Sequence, residues 1–255
     1  MKMKAKKYLG QHFLVNNLIS EKIVNSLILK KKNNIVEIGP GLGALTQYLI
    51  NKTEFLKLIE IDIECIEYLR KKFDKIEIIH KDFLQINSRE LNFDNYSIIG
   101  NFPYNISSQI LFKILDQRDN VTQVVGMFQQ EVAERICSGP KSKKYGILSV
   151  LIQAYFNCEK LFNVPSNNFD PPPKVNSAVI RLTRNKNTQL GCDHNKFVQI
   201  VKLGFSQRRK KLKNPLKKIT NLKNLDIEIT LNKRAEELTV SDFINLTNNI
   251  FPKSK

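Results

Sequence analysis

A buried strand runs directly into a glycine-rich turn in the segment Ile35-Val-Glu-Ile-Gly-Pro-Gly-Leu-Gly43. The apolar run 35–38 is typical of a buried strand, and residues 44–50 continue with a helical pattern. Glycines let the backbone bend sharply and let a ligand approach it closely. The spacing differs from a dinucleotide turn, because Gly43 follows Gly41 too soon, and from a phosphate-binding loop, because the Gly-Lys-Ser/Thr ending is absent. The segment therefore predicts a strand, a turn and a helix that bind a nucleoside-like ligand.

The alternation of strands and helices continues along the chain. Further strands are predicted at 55–61, 76–80, 96–100, 121–128 and 175–182. Helices are predicted at 13–29, 63–73, 108–115 and 131–137, and residues 147–156 fit either structure. This order is typical of an α/β fold with a doubly wound, mostly parallel, Rossmann-like sheet. Ligands of such sheets bind outside the carboxyl ends of the strands.

The last quarter of the chain has a different pattern. A polar segment at 184–194 is followed by short helical patterns at 195–206, 208–218, 231–237 and 240–250. We therefore expect a catalytic α/β domain at 1–185 and a small all-helical domain at 193–255.

Composition excludes several classes of protein. The chain has 255 residues, of which 42% are hydrophobic, and no apolar run approaches the roughly 20 residues that a membrane span needs. The basic start is followed by polar residues, which does not indicate a secretory signal. The four cysteines are neither paired as CxxC nor spaced from a histidine as zinc ligands. We expect a cytoplasmic protein with reduced thiols, no metal and no membrane contact.

The formal net charge of +17 suggests a polyanionic partner, although a chain rich in Lys, Asn and Ile also gains charge by drift in base composition. The distribution of charge is more informative. Residues 201–218 contain eight basic residues and no acidic residue. We predict that this stretch contacts phosphates of RNA. The residues expected to do so are Arg208, Arg209, Lys210, Lys211 and Lys213.

Carboxylates follow the second and third predicted strands. Glu60 stands about 20 residues beyond the glycine turn, where a carboxylate can accept from both hydroxyls of a ribose. Asp62 competes for that role but also suits the start of a helix. Asp82 can accept the amino group of an adenine, and the alternative is a solvated helix cap.

The sharpest motif is Asn101-Phe-Pro-Tyr104, directly after the fourth predicted strand. N6 of adenine is a poor nucleophile because its lone pair is delocalised into the ring. The Asn101 side-chain oxygen and the Pro103 carbonyl can accept its two hydrogens and free that lone pair, while Tyr104 offers a face for stacking the base. Catalysis would then be positioning plus electrostatics for an in-line transfer.

Two flanking segments complete the pattern. Gly10-Gln-His-Phe-Leu14 precedes the first helix and can cover a ligand. Phe169 precedes Pro171-Pro-Pro173, a stiff stretch, and can close the second face of the target base. Taken singly, His12 suits a structural role and Phe169 suits the core.

Glu37-Ile-Gly-Pro-Gly41 resembles the first motif of class I methyltransferases, and the whole chain resembles the bacterial 16S ribosomal RNA adenine dimethyltransferase family. The likeness includes Asn101-Phe-Pro-Tyr-Asn-Ile-Ser107, Gly139-Pro-Lys-Ser-Lys-Lys-Tyr-Gly146 and Phe205-Ser-Gln-Arg-Arg-Lys210. The resemblance implies S-adenosylmethionine as methyl donor and two adjacent adenines near the 3′ end of 16S rRNA, each methylated twice, in an assembling small subunit. The implied cofactor positions are His12, Leu14, Gly39, Glu60, Asp82 and Asn101. We also expect Gly41, in the same turn, to contact the cofactor. The implied target-base positions are Asn101, Tyr104 and Phe169.

Two departures and three alternatives accompany this resemblance. Phe102 replaces the usual Leu of the family, and the helical region is brief after Leu225. A 23S rRNA methylase of the macrolide-resistance type shares the catalytic motifs, although the triple proline and the basic segment favour the 16S enzyme. A DNA adenine methylase would favour Asp-Pro-Pro-Tyr, and a non-catalytic assembly factor would not need Asn101 and Tyr104. We expect a monomer.

Overall fold

The computed structural model describes residues 3–29, 33–185, 190–217, 219 and 228–252. Parts of the sequence predictions lie outside these residues. They are Lys218 in the basic stretch, residues 186–189 of the expected linker, and the region around Leu225.

Nine strands are found among the described residues, and seven of them form one sheet. The strands are β1 (Phe13–Leu14), β2 (Asn34–Ile38), β3 (Phe55–Glu60), β4 (Glu77–His80), β5 (Tyr96–Asn101), β6 (Val121–Gln129), β7 (Phe156–Val164), β8 (Phe169–Asp170) and β9 (Ser177–Arg184). The large sheet has the order β4-β3-β2-β5-β6-β9-β7, and β1 pairs with β8 in a separate two-stranded sheet.

The large sheet is mostly parallel, as predicted. The strands β2 to β6 are parallel to one another, and β9 is antiparallel to β6. The chain runs outward from β2 through β3 to β4 and then returns to place β5 on the other side of β2. This reversal is the switch point at which doubly wound sheets open a crevice for a ligand. It lies between the glycine turn after β2 and Asn101 at the end of β5.

Ten α-helices are found within the described ranges. They are α1 (Asn17–Asn25), α2 (Thr46–Leu49), α3 (Ile63–Lys72), α4 (Ser107–Asp116), α5 (Gln130–Cys137), α6 (Ile147–Gln153), α7 (His194–Ser206), α8 (Lys213–Leu216), α9 (Glu228–Leu231) and α10 (Val240–Ile250). Short 3-10 turns add Lys7–Leu9, Phe83–Gln85, Ser88–Leu91, Ser166–Asn168 and Ala235–Glu237. Residues 147–156, which fitted helix or strand, form α6 and the start of β7.

The first predicted helix is wrong at its start. Asn16 caps α1, because its Oδ1 accepts from the backbone N–H groups of Leu18 and Ile19 at 3.0 and 3.3 Å. Residues 13–14 instead pair with β8, which is more than 150 positions away in the sequence. Local periodicity cannot indicate such a pairing.

Phe102 packs onto the sheet over two glycines. Gly100 of β5 lies opposite Gly126 of β6. A Cβ on Gly126 would meet the Phe102 ring at 2.4 Å, and one on Gly100 would meet it at 2.7 Å. The ring is almost fully buried and lies 5.0 Å from that of Phe128. Because the two glycines have no side chains, they leave space for the ring of Phe102, which is larger than the usual Leu.

The described chain separates into two compact units. One comprises residues 1–133 and 157–184, and the other comprises residues 134–156 and 185–255. Within the second unit α6 packs against α7 and α10. The division into 1–185 and 193–255 remains a prediction about domains, and the contact units differ from it in the placement of residues 134–156.

The described residues include neither a candidate membrane span nor a candidate metal cluster. None of their helices has the length and apolar character that a membrane span requires. They contain no group of three or more His, Cys, Asp or Glu side chains arranged to hold a metal ion. Among the described residues, none of the four cysteines forms a disulfide, and Cys65 is buried.

Candidate active site

A pocket of about 260 Å³ opens at the carboxyl edge of the sheet, at the switch point between β2 and β5. The segments that follow four successive parallel strands line it, together with the N-terminal segment. These segments are residues 8–14, 37–42, 59–61, 81–84 and 101–106. The structure therefore brings the glycine turn, Glu60, Asp82 and the Asn101–Tyr104 motif into one cavity.

The three glycines of the turn have left-handed backbone conformations, with φ values of +64°, +55° and +75° for Gly39, Gly41 and Gly43. A Cβ at Gly39 would meet no protein atom within 4 Å, so this position leaves space for a ligand. A Cβ at Gly43 would meet the Phe73 ring at 2.5 Å. Gly39 thus leaves room beside the pocket, whereas Gly43 is required by packing inside the protein.

Glu60 ends β3 with its carboxylate held by the backbone. Its Oε2 accepts from the N–H of Gly41 at 3.0 Å, and its Oε1 accepts from the N–H groups of Ile61 and Asp62 at 2.8 and 2.9 Å. Burial raises the pKa of Glu60, and these three bonds oppose the rise by stabilising the ionised form. Glu60 is therefore oriented and tied directly to the glycine turn.

Asp62 is occupied by structural bonds. It caps α3 through the N–H of Glu64 at 3.1 Å, and it accepts from Lys6 Nζ at 2.6 Å and Gln11 Nε2 at 2.8 Å. Burial raises the pKa of Asp62, but these partners outweigh that effect and leave the pKa below its usual value. Of the two carboxylates that competed for the ribose, Glu60 lines the pocket and Asp62 does not.

Asp82 lines the pocket and also caps a short 3-10 turn. Its Oδ1 accepts from the backbone N–H of Leu84 at 2.9 Å. Among the described residues no group donates to Oδ2. Asp82 can therefore cap the turn with one oxygen and accept from a ligand with the other. Binding of a cofactor adenine by Asp82 stays a prediction.

Glu37 also lines the pocket, although no separate role was predicted for it. It is almost fully buried in β2, and its Oε2 accepts from Thr46 Oγ at 2.7 Å. Burial raises the pKa of Glu37 to about 8, despite the bond from Thr46. In the sequence, an acidic residue within the apolar run Ile35-Val-Glu-Ile38 could have indicated a buried carboxyl group.

The side-chain amide of Asn101 is oriented by the N-terminal segment. Its Nδ2 donates to the main-chain carbonyl of His12 at 2.8 Å. A carbonyl oxygen can only accept, so the bond identifies the nitrogen and leaves Oδ1 on the opposite side of the amide. Nδ1 of His12 lies 2.7 Å from the carbonyl oxygen of Pro171 and therefore carries the hydrogen of that bond.

The ring and the hydroxyl group of Tyr104 each contact a neighbouring side chain. Its ring stacks on the imidazole of His12, with centroids 5.5 Å apart, and its hydroxyl is hydrogen-bonded to the buried Oγ of Ser177. Burial raises the pKa of Tyr104 above its usual value, although the bond to Ser177 acts in the opposite direction. The carbonyl of Pro103, also in the pocket, accepts a long bond of 3.3 Å from Ile106 and retains a second lone pair.

Leu14 and Phe169 are neighbours in the two-stranded sheet, and only Leu14 lines the pocket. Phe169 is 4% exposed and packs in the main hydrophobic core. The structure therefore does not bring Phe169 together with Asn101 and Tyr104. Its role against the target base stays a prediction.

The basic stretch lies in the second unit, and its members differ. The guanidinium of Arg208 donates to Glu236 Oε2 at 2.9 Å and to the carbonyls of Lys143 and Tyr145. The other four predicted RNA contacts, which are Arg209, Lys210, Lys211 and Lys213, have exposed side chains. None of these four forms an ion pair with another described residue. Arg208 therefore stabilises the 142–145 loop, whereas the other four carry positive charges that are exposed to solvent.

Comparisons with known proteins bear on the family and on the fold. Residues 2–251 match the model of the ribosomal RNA adenine dimethylase family. A protein of Cytophaga hutchinsonii named ribosomal RNA small subunit methyltransferase A is 51% identical over 252 residues, which cover 97% of both chains. A protein of Bacteroides fragilis with the same name is 49% identical over 253 residues, covering 97% of this chain and 93% of the relative.

Solved structures give the same picture of the fold. A dimethyladenosine transferase from Plasmodium falciparum superposes with a TM-score of 0.81 at 26% identity, over 93% of this chain and 98% of that one. The 23S rRNA methyltransferase ErmE superposes with a TM-score of 0.74 at 22% identity, over 93% of this chain and 99% of that one. At that identity the second likeness indicates the fold alone.

Proposed function

Because the chain belongs to the ribosomal RNA adenine dimethylase family, we propose that it methylates N6 of two adjacent adenines near the 3′ end of 16S rRNA, each of them twice. Relatives that are about half identical over nearly their whole length are named ribosomal RNA small subunit methyltransferase A, which favours the small subunit over 23S rRNA. The observation that carries the chemistry is the oriented amide of Asn101, which shares a pocket with the glycine turn, Glu60 and Asp82.

The pocket suits S-adenosylmethionine as the methyl donor. The space beside Gly39 lets a ligand approach the backbone, and Glu60 is fixed by three N–H groups at the place expected for ribose hydroxyls. Asp82 has one carboxylate oxygen available to accept from an adenine amine, and His12, Leu14 and Gly41 also line the pocket. Bound S-adenosylmethionine supplies a methyl group already activated by its sulfonium.

The chain's own residues then make adenine N6 a nucleophile. The Oδ1 of Asn101 and the carbonyl of Pro103 accept the two N6 hydrogens, and Tyr104 stacks the base. The freed N6 lone pair would accept the methyl group that S-adenosylmethionine supplies by loss of its carbon–sulfur bond, and the surplus proton on N6 would leave to solvent. In the second transfer only one N6 hydrogen remains, so one acceptor suffices. This is electrostatic preorganisation combined with positioning.

The second unit supplies attraction to RNA. The exposed side chains of Arg209, Lys210, Lys211 and Lys213 suit contacts with phosphates, which are made without regard to sequence. We place the protein in the cytoplasm, as a monomer that acts on an assembling small subunit.

The test is methylation of small subunits isolated from a methylase-deficient strain, with 23S rRNA as the control substrate. We expect N6,N6-dimethyladenine at two adjacent positions near the 3′ end of 16S rRNA and none in 23S rRNA. Methylation of 23S rRNA instead would favour the macrolide-resistance type. Binding to the subunit without any methyl transfer would favour a non-catalytic assembly factor.

A further inference from the structure

The contact between Asn101 and the N-terminal segment has a consequence for catalysis. An amide that is free to rotate could present either its oxygen or its NH₂ group to the target amine, and only the oxygen can accept a hydrogen. Here the His12 carbonyl accepts from Nδ2 at 2.8 Å, which excludes the flipped amide because two carbonyl oxygens would then face each other.

We infer that the main-chain carbonyl of His12 is a positioning group for methyl transfer, because it fixes the oxygen of Asn101 toward the target amine. The inference rests on the proposed function and adds a requirement to it. Position 101 must donate to His12 and accept from the substrate at the same time. An amide meets both demands, whereas a carboxylate meets only one.

His12 is itself held firmly enough for this role. Its Nδ1 donates to the carbonyl of Pro171 at 2.7 Å, and its ring stacks on Tyr104. The following residues, Phe13–Leu14, pair with Phe169–Asp170. The carbonyl of His12 is thus placed by contacts on both sides, and such fixed dipoles need little reorganisation during a reaction.

Replacing Asn101 by Asp tests the two requirements separately. The two side chains have nearly the same shape, but an ionised Asp can accept a hydrogen bond and cannot donate one. An ionised Asp would place a carboxylate oxygen against the His12 carbonyl, which disfavours the ionised form. A protonated Asp would donate through its O–H to His12 and accept through its other oxygen. The variant is therefore active in proportion to its protonated fraction.

Other ionisable groups around the pocket must be separated from this effect. Those that line it are Tyr8, His12, Glu37, Glu60, Lys81, Asp82 and Tyr104. They are unchanged in the variant, so the ratio of variant to unmodified rate at each pH removes their contribution. A matched control is Asn120→Asp, because Nδ2 of Asn120 also donates to a carbonyl, that of Asp94, at 2.8 Å, and Asn120 lies just before β6, away from the pocket.

The experiment measures methylation of small subunits by the unmodified protein, N101D and N120D between about pH 5.5 and about pH 8.5. At about pH 8 we expect N101D to be at least roughly 100-fold slower than the unmodified protein. Its relative rate should rise by about tenfold for each unit of falling pH until the introduced acid is protonated. The relative rate of N120D should stay constant. A relative rate of N101D that does not depend on pH, or near-normal activity at about pH 8, overturns the inference.

A second measurement does not depend on activity. In N101D labelled with ¹³C at the Asp carboxyl carbons, NMR titration reports the pKa of the introduced group, with N120D as reference. We expect the pKa of Asp at 101 to lie above the ordinary value of about 3.9. A pKa at or below that value contradicts the positioning role and leaves the proposed function intact. Absence of methylation by the unmodified protein, with a raised pKa at 101, contradicts the proposed function and leaves the His12 contact intact.

Discussion

In the pocket at the carboxyl edge of the sheet, each polar side chain that we assign to chemistry is held by neighbours. Glu60 accepts three backbone N–H groups, Asn101 donates to His12, and Tyr104 is bonded to Ser177. In the basic segment of the second unit, residues 209–211 and Lys213 extend into solvent without ion pairs to other described residues. A transfer reaction needs fixed directions, whereas attraction to phosphates needs charge and tolerates motion.

Arg208 adjoins that segment, but hydrogen bonds hold its side chain in place, as they hold the side chains of the pocket. Its guanidinium is shared among Glu236 and the carbonyls of the 142–145 loop. The planar fork of Arg suits several acceptors at once, which a Lys at the same position would not match. Charge in a sequence therefore does not by itself distinguish a ligand contact from a structural tether.

The largest effect is expected from Asn101→Ala, which removes the oriented oxygen. Loss of one preorganised group costs on the order of 100- to 1,000-fold in rate. Methylation of small subunits measures the rate, and a filter-binding assay should show nearly unchanged affinity for RNA. Normal methylation by this variant would be incompatible with the mechanism.

The two ends of the glycine turn should respond differently to substitution by Ala. Both are strained by positive φ, at about 1–2 kcal/mol, but only Gly43→Ala also collides with Phe73. We expect Gly43→Ala to lower the free energy of unfolding by about 2–4 kcal/mol. Gly39→Ala should lower it by less and instead weaken binding of S-adenosylmethionine by at least about tenfold. Urea unfolding and isothermal titration calorimetry separate these outcomes, and equal effects on both properties would break the distinction.

The salt dependence of RNA affinity should distinguish the residues of the basic segment that contact RNA from Arg208. The triple substitution of Arg209, Lys210 and Lys211 by Ala should reduce the slope of log affinity against log salt by about two to three. Arg208→Ala should leave that slope nearly unchanged and lower the free energy of unfolding by about 1 kcal/mol. An unchanged slope in the triple variant would mean that its charges do not contact RNA.

The effect of Glu37→Gln on stability depends on pH. Burial raises the folded-state pKa of Glu37 to about 8, above that of the unfolded chain, so the folded state holds an extra proton between the two values. The contribution of Glu37 to stability is therefore complete at low pH and declines as pH rises toward about 8, by at most about 1.4 kcal/mol per pH unit. Urea unfolding at several pH values should show a shallower decline for Glu37→Gln, and parallel curves for the two proteins would contradict the raised pKa.

Prediction from sequence succeeded where the signal is local. The strands β2 to β6 and β9 were placed to within a few residues, because their apolar runs and turns are properties of neighbouring positions. The strand β7 was missed because its mixed pattern, Phe156-Asn-Cys-Glu-Lys-Leu-Phe-Asn-Val164, is that of an edge strand with polar residues on it. The pairing of β1 with β8 was missed because its partners are distant in the chain.

For the site, sequence alone predicts which residue types meet at one edge of the sheet, because parallel strands bring their carboxyl ends together. The contacts that each of them makes there are visible in the folded chain alone. The bonds from Lys6 to Asp62, from Asn101 to His12 and from His12 to Pro171 join residues 56, 89 and 159 positions apart. A hydrogen bond depends on distance and direction between atoms, and folding alone brings such residues within reach.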